Sequence, residues 1–372
     1  MMRNFGKYLT GLLLTGFFIT GAFAQTIPFD SDRWEINAVE SRSGEFFGRK
    51  GLLLRGGDAI IKDSDFTNGI IEYDVLTTGE RGFLGAVWRL QDLNNYEEFY
   101  IRPHQSGNPD ANQYTPVFNG MAGWQLYHGQ GYGAPMEYPF NEWMHVQIAV
   151  SGKSAEVYIN DMEKPLLYVP ELKRDIKSGK VGVEANSATP AYFSNFKFIK
   201  TNPVLKGKAV EPKTTPDGTV FSYLVSNVFE EKSLTGKYKI SAAEKSSLTW
   251  KKLNSESTGI TNLARLNGID ESKNTVFVKL TVLSDKAQVK KISFGYSDRI
   301  KVYFNDVLIY GGTNFYSSRD YRYLGTIGLF DELFLQLKEG ENSLWMAVSE
   351  SFGGWGIMAQ FEDMEGIKIV NK

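Results

Sequence analysis

The sequence predicts an all-β chain of two antiparallel β-sandwich domains of jelly-roll form in tandem. Three observations carry the prediction: short runs that alternate apolar and polar residues, turn residues between them, and one long interruption between the two groups of runs. Composition agrees. Aromatics make up 14% of the 372 residues and glycines number 37, a mixture suited to pleated, half-buried strands joined by tight turns.

Before the interruption, period-two segments recur at Gly69 to Val75, Phe83 to Gln91, Tyr96 to Arg102, Gln113 to Phe118, Trp124 to Tyr127, Trp143 to Val150, Ala155 to Asn160, Val181 to Glu184 and Tyr192 to Phe198. Nine short strands with frequent turns suit an antiparallel sandwich. The interruption, Thr201 to Gly218, carries three prolines and reads as a linker between residues 25–200 and 219–372. After it come Thr275 to Leu283, Gln288 to Tyr296, Ile300 to Asn305, Leu333 to Lys338, Ser343 to Glu350 and Gly356 to Phe361. Neither half has a sustained helical period, although Val225 to Leu234 has the pattern of one or two turns. Val157 to Asp161 and Val302 to Asp306 share a strand that runs into an Asn-Asp turn, one hairpin solution used twice.

Strand phase assigns the side chains to faces. With Ile71, Tyr73 and Val75 inward, Glu72 and Asp74 stand side by side on the opposite face. With Phe99 and Ile101 inward, Tyr96, Glu98, Tyr100 and Arg102 point the other way. Later segments add His104, Gln113, Asn119, Trp124, Gln125 and Tyr127. Carboxylates, amides, a guanidinium and flat aromatics on one sheet face match what a sugar presents, since hydroxyls take hydrogen bonds and C–H faces stack on rings. The competing assignment is a solvated outer face with an ordinary scatter of aromatics.

Asn68 to Val75, Phe83-Leu84-Gly85 with Trp88-Arg89, and Tyr96 to His104 resemble the concanavalin A-like lectin/glucanase superfamily in its laminin-G-like bacterial form. Glu142-Trp143 through Tyr158, and Phe193 to Phe196, are similar to the closing strands of such domains. The resemblance spans roughly residues 30–199 and implies a curved jelly roll whose concave face holds any ligand. Tyr296 to Arg299 leading into Val302 to Asn305, Leu335 through Leu344, and Phe352 to Gly356 resemble galactose-binding-like jelly rolls. In that half Arg319, Asp320, Tyr321 and Trp355 are candidate ligand contacts, or residues that hold their loops.

The family's hydrolases carry Glu-x-Asp-x-Glu on one strand. Here Glu72-Tyr73-Asp74-Val75-Leu76 supplies two of the three acids and Leu76 replaces the third. A glycoside hydrolase using Glu72 and Glu98 on one face remains the catalytic alternative, as does a lyase built on Tyr100, Arg102 and His104. A protein-interaction module is the third reading. The three histidines lack metal-ligand spacing, and Gly129 to Gly133 does not sit between a strand and a helix as a phosphate loop would. No cofactor is expected. Structural calcium on Asp63-Ser64-Asp65 or Asp92 to Asn95 is open; neither matches a full EF-hand loop, and turn capping explains both as well.

Arg3 and Lys7, the apolar Leu9 to Phe18, and Ala22-Phe23-Ala24 read in order as a signal peptide over residues 1–24, cleaved before Gln25. The remaining 348 residues hold 39 basic and 43 acidic side chains and no basic block, a poor match to nucleic acid or to anionic membrane. No second stretch is apolar enough to insert in a bilayer. The absence of cysteine removes disulfides and thiolate chemistry. The expectation is a secreted or periplasmic carbohydrate-binding protein without catalysis, whose partner is a polysaccharide or oligosaccharide.

Overall fold

A computed structural model describes residues 25–186, 189–208, 215–318 and 324–370. The proposed signal peptide and the candidates Arg319, Asp320 and Tyr321 lie outside the described residues. What is described is nearly all strand, arranged in antiparallel sheets. No helix among the described residues is long and apolar enough to cross a membrane.

The first half is organised by a hairpin that the alternation rule does not find. Trp34–Phe46 pairs along its length with Arg49–Ile61. The other edge of Arg49–Ile61 takes two partners in succession: Ala191–Lys200 at Leu52 to Leu54, then Lys180–Ala185 at Gly57 to Ile60. One edge cannot continue into two strands within one surface, so the sheet divides there into two layers. Strand phase changes at the same place, because Leu52 and Leu54 are in the core before it and Ala59 and Ile61 after it. Gly57 permits the bend. A Cβ there would lie 2.0 Å from the Asn37 carbonyl oxygen and 2.4 Å from the Ala38 Cα.

Gly69–Leu76, Met144–Ser151, Ser154–Ile159 and Leu167–Val169 continue one layer. Leu84–Asp92, Asn95–Ile101, Asn112–Phe118 and Met121–Ala122 continue the other. Ile71, Tyr73 and Val75 from the first layer meet Trp88, Phe99 and Ile101 from the second in a single core. Glu72 and Glu98 both point away from that core on opposite layers, and therefore in opposite directions. The expected Glu72/Glu98 pair on one face is corrected here: alternation within a strand says which side is inward, but not which layer the strand joins.

In the second half a seven-stranded sheet centred on Thr275–Ser284 and Gly340–Ser349 faces a four-stranded sheet centred on Gln288–Ser297 and Gly356–Phe361. Val278, Val302 and Met346 pack against Phe294, Tyr296 and Phe361 between them. Trp355 is fully buried there and donates through Nε1 to the Val348 carbonyl at 3.1 Å. It is a core residue, which corrects its candidacy as a ligand contact. The expected turns over Val225 to Leu234 are a strand, Ser222–Ser226, followed by a 3₁₀ turn, Glu231–Leu234. The α-helix is Ala242–Ser247, started by a capping box in which Ser241 and Glu244 satisfy each other's backbone N–H groups.

Among the described residues no ladder joins strands before the 201–218 segment to strands after it. The halves meet through loops and side chains instead. Replacing Gly57 with alanine should lower stability by about 1–3 kcal/mol, since the backbone of the facing strand must move. Urea unfolding checks this, and a midpoint equal to that of the wild type would show that the bend does not depend on the close approach.

Candidate functional site

The segment Trp124 to Tyr127, expected as a strand, is a turn. Leu126 and Tyr127 both donate their backbone N–H to the Gly123 carbonyl, at 2.9 and 3.0 Å. This turn carries the first half onto the second. The Gln125 backbone N–H donates to the Gly353 carbonyl at 2.8 Å, and its carbonyl accepts from the Ile327 N–H at 3.0 Å. Its side-chain Nε2 donates to the Leu324 and Gly325 carbonyls, and Oε1 accepts from the Ser297 hydroxyl at 2.9 Å. Every polar group of the fully buried Gln125 is thus satisfied across the junction. Gly353, at φ 112°, makes room: a Cβ would sit 2.2 Å from Gln125 Oε1.

Tyr127 is equally committed. It is fully buried, its hydroxyl donates to Glu256 Oε1 at 2.5 Å, and Lys173, almost fully buried, reaches Glu256 Oε2 at 2.8 Å. Asn119 Nδ2 donates to the Ala264 carbonyl at 2.7 Å. Gln125, Tyr127 and Asn119 therefore join the halves rather than face a ligand, a correction to their expected role. The reason lies in two turns, the one after Gly123 for Gln125 and Tyr127 and the Asn119-Gly120 turn before Met121–Ala122 for Asn119, which aim them at residues more than a hundred positions away.

Trp124, the remaining aromatic of that turn, lies against a cleft of about 350 Å³ between the halves. Phe83 and Trp124 line it from the first half, and Phe315, Tyr316 and Phe352 from the second. Phe352 is 58% exposed and its ring centroid lies 5.9 Å from that of Trp124. Polar groups enter from the first half: Arg81, Arg102, His104, Gln105 and Asp110.

Arg102 is the best-held of these. Its Nη1 donates to Asp110 Oδ2 at 3.0 Å, and Nη2 donates to the Tyr100 hydroxyl at 3.1 Å and to Gln113 Oε1 at 2.5 Å. The guanidinium also lies over the Phe83, Tyr100 and Trp124 rings, 5.3–5.9 Å from their centroids. Gln113 turns its other end to the Trp124 and Tyr127 carbonyls, at 2.9 and 2.5 Å. Tyr100 and Gln113 are buried and act through Arg102 and the turn. Two ring or guanidinium nitrogens on the cleft stay unpaired though buried, Arg102 Nε and His104 Nδ1. Burial, reinforced by Arg81 and Arg102, holds the His104 imidazole below its ordinary range, so it is neutral at pH 7.

The acids lie elsewhere. Glu98 is buried and hydrogen-bonded to Glu184; burial, then the Glu184 charge, pushes its carboxyl well above the usual range. Nearby, burial and Glu35 push Asp58 up to about 6. Two carboxyls in direct contact hold one proton between them and leave no room for a glycosidic bond. Glu72 and Asp74, on the other layer, are compensated. Lys197 Nζ is 2.8 Å from Glu72, while Arg49, Asn195 and His145 Nδ1 all meet Asp74, the imidazole at 2.7 Å. His145 bridges the two acids, with Nε2 3.4 Å from Glu72. Of the calcium candidates, Asp63 pairs with Arg33 at 3.0 Å, and Asp92 caps its own turn through the Asn94 N–H. Among the described residues no three His, Asp or Glu side chains gather as metal ligands.

The sequence reasoning missed Arg81, Phe83, Phe315, Tyr316 and Phe352. A usable signal was present for Phe352, an aromatic followed by two glycines, but the choice fell on Trp355, three residues on.

The Glu72–His145–Asp74 cluster carries a pH signature. Hydrogen bonds that the ring donates to Asp74 and then to Glu72 raise His145 from 6.5 to about 9, so folding favours the protonated ring. Its stabilisation is full below pH 6.5 and is lost as pH rises through 9. The His145→Gln variant should therefore lose the part of the decline in urea midpoint that the wild type shows across that window. The effect is small because the ring is partly exposed. Parallel profiles for the two proteins would contradict it.

No family model matches the sequence, and no curated protein is similar to it. Solved structures give partial likenesses. Carbohydrate-binding module CBM66 from Bacillus subtilis is 16% identical over 44% of this chain and 93% of its own, with a TM-score of 0.34. A Bacillus subtilis protein of unknown function with a galectin-like fold is 10% identical over 47% of this chain and 97% of its own, at 0.34. A Bacillus licheniformis β-glucanase is 14% identical over 48% of this chain and 98% of its own, at 0.34. Each likeness spans less than half of this chain.

Proposed function

We propose that the chain is an exported, two-domain carbohydrate-binding protein, active in the periplasm or the medium, whose sugar site is the cleft between its halves. The observation that carries this reading is the cleft's lining. Half-buried Phe83 and Trp124 from the first half and exposed Tyr316 and Phe352 from the second bring rings around the Arg81 and Arg102 guanidinium groups. Rings offer stacking surface to the C–H face of a pyranose, and guanidinium and imidazole groups offer hydrogen bonds to its oxygens. The site expected on the concave sheet face is thereby moved to its rim, where Arg102 and His104 leave the sheet.

Binding is favoured over hydrolysis by the placement of the acids. Asp110, the one carboxylate among the described residues that line the cleft, is engaged by Arg102, and Glu98 and Glu184 are turned to each other. A retaining pair stands about 5–5.5 Å apart and an inverting pair further. Neither arrangement is offered by the residues lining the cleft.

Trp124→Ala and Phe352→Ala should each weaken saccharide binding by about tenfold, with thermal unfolding little changed for the exposed Phe352. Calorimetric titration against oligosaccharides identified on a glycan array measures this, with product analysis on the same ligands. Retained affinity in both variants would move the site elsewhere, and turnover abolished by Glu98→Gln would replace binding with catalysis.

A further inference from the structure

The electrostatics of the cleft go beyond a generic sugar site. Arg102 is paired by Asp110, and its side chain is only 6% exposed. Its Nε is buried and has no hydrogen-bond partner, so Asp110, Tyr100 and Gln113 do not use up its donor capacity and its charge still acts on the cleft. Arg81 stands at the mouth of the same cleft, exposed, its guanidinium 5.7 Å from the centroid of the Phe83 ring. Among the described residues it makes no ion pair. Among the described residues the lining thus holds two guanidinium groups against one carboxylate, that of Asp110, in a chain whose formal charge is −2. That positive excess is local and stands against the sign of the whole molecule.

Resting on the carbohydrate reading of this cleft, we propose that its ligand is an acidic saccharide, one whose sugar ring carries a carboxylate. The ring lies against Trp124 and Phe352, the exposed Arg81 guanidinium pairs with the carboxylate, and Arg102 adds its charge from the wall behind. A guanidinium fork matches the planar geometry of a carboxylate, and its attraction is stronger beside aromatic walls than in open water.

The test is titration of the full chain with oligomers of galacturonate, glucuronate and mannuronate, each beside its carboxyl-reduced neutral counterpart, for wild type, Arg81→Gln and Trp124→Ala. At least one acidic oligomer should bind about tenfold tighter than its neutral counterpart. Arg81→Gln should weaken the acidic oligomer about tenfold more than its neutral counterpart and so remove that preference. Trp124-dependent binding of neutral forms as tight as that of acidic ones would overturn the acidic assignment and leave the carbohydrate reading standing. A preference that survives in Arg81→Gln would overturn the role given to Arg81. Absence of Trp124-dependent binding to any oligomer, acidic or neutral, would remove the carbohydrate reading and this inference together.

Discussion

The buried carboxamide of Gln125 is the interaction on which the arrangement depends. It donates to two carbonyls and accepts from a hydroxyl of the second half, while its own backbone is paired there in both directions. A buried amide is stable only when all of these partners are present, so the turn has one seat. Gln113 extends the constraint to the sheet: one end holds the turn's carbonyls and the other holds the Arg102 guanidinium. Two glutamines therefore connect the second half to a cation of the first. The cleft is defined by that chain of hydrogen bonds rather than by either sandwich alone.

The distribution of charge follows from the layers. The outer face of one layer gathers Glu72 and Asp74, and cations from neighbouring strands neutralise them, which makes a structural network of what resembles a catalytic pair. The outer face of the other layer gathers Glu98, Glu184 and Asp58, where burial favours protonation. Acidic chemistry is consumed internally in both places. The rim between the halves gathers aromatic rings and cations instead.

Strand character and facing were legible in the sequence wherever one side packs on a core. Tyr96 to Arg102 is such a case, and Tyr100, Arg102 and Glu98 do share a face away from Phe99 and Ile101. Glu97, on the inward side, is accommodated because the Tyr114 hydroxyl donates to it at 2.5 Å, a detail no alternation rule contains. The hairpin Trp34–Phe46 with Arg49–Ile61 was not legible. Its first strand is mostly exposed, with Val39 at 74%, so apolar alternation is absent, and its second changes phase at the bend. Half of the cleft was hidden for a different reason. Phe315, Tyr316 and Phe352 are brought to Trp124 by the packing of the halves, and no local pattern encodes which loops will meet.

The central claim is that ligand recognition belongs to the junction. A crystal structure of the full chain with a bound oligosaccharide tests it most directly. The account predicts a sugar ring stacked on Trp124 between the halves, with an oxygen within hydrogen-bonding distance of the Arg81 guanidinium. A saccharide seated instead on the Glu72–His145 face or over Glu98, with the junction cleft empty, would contradict it.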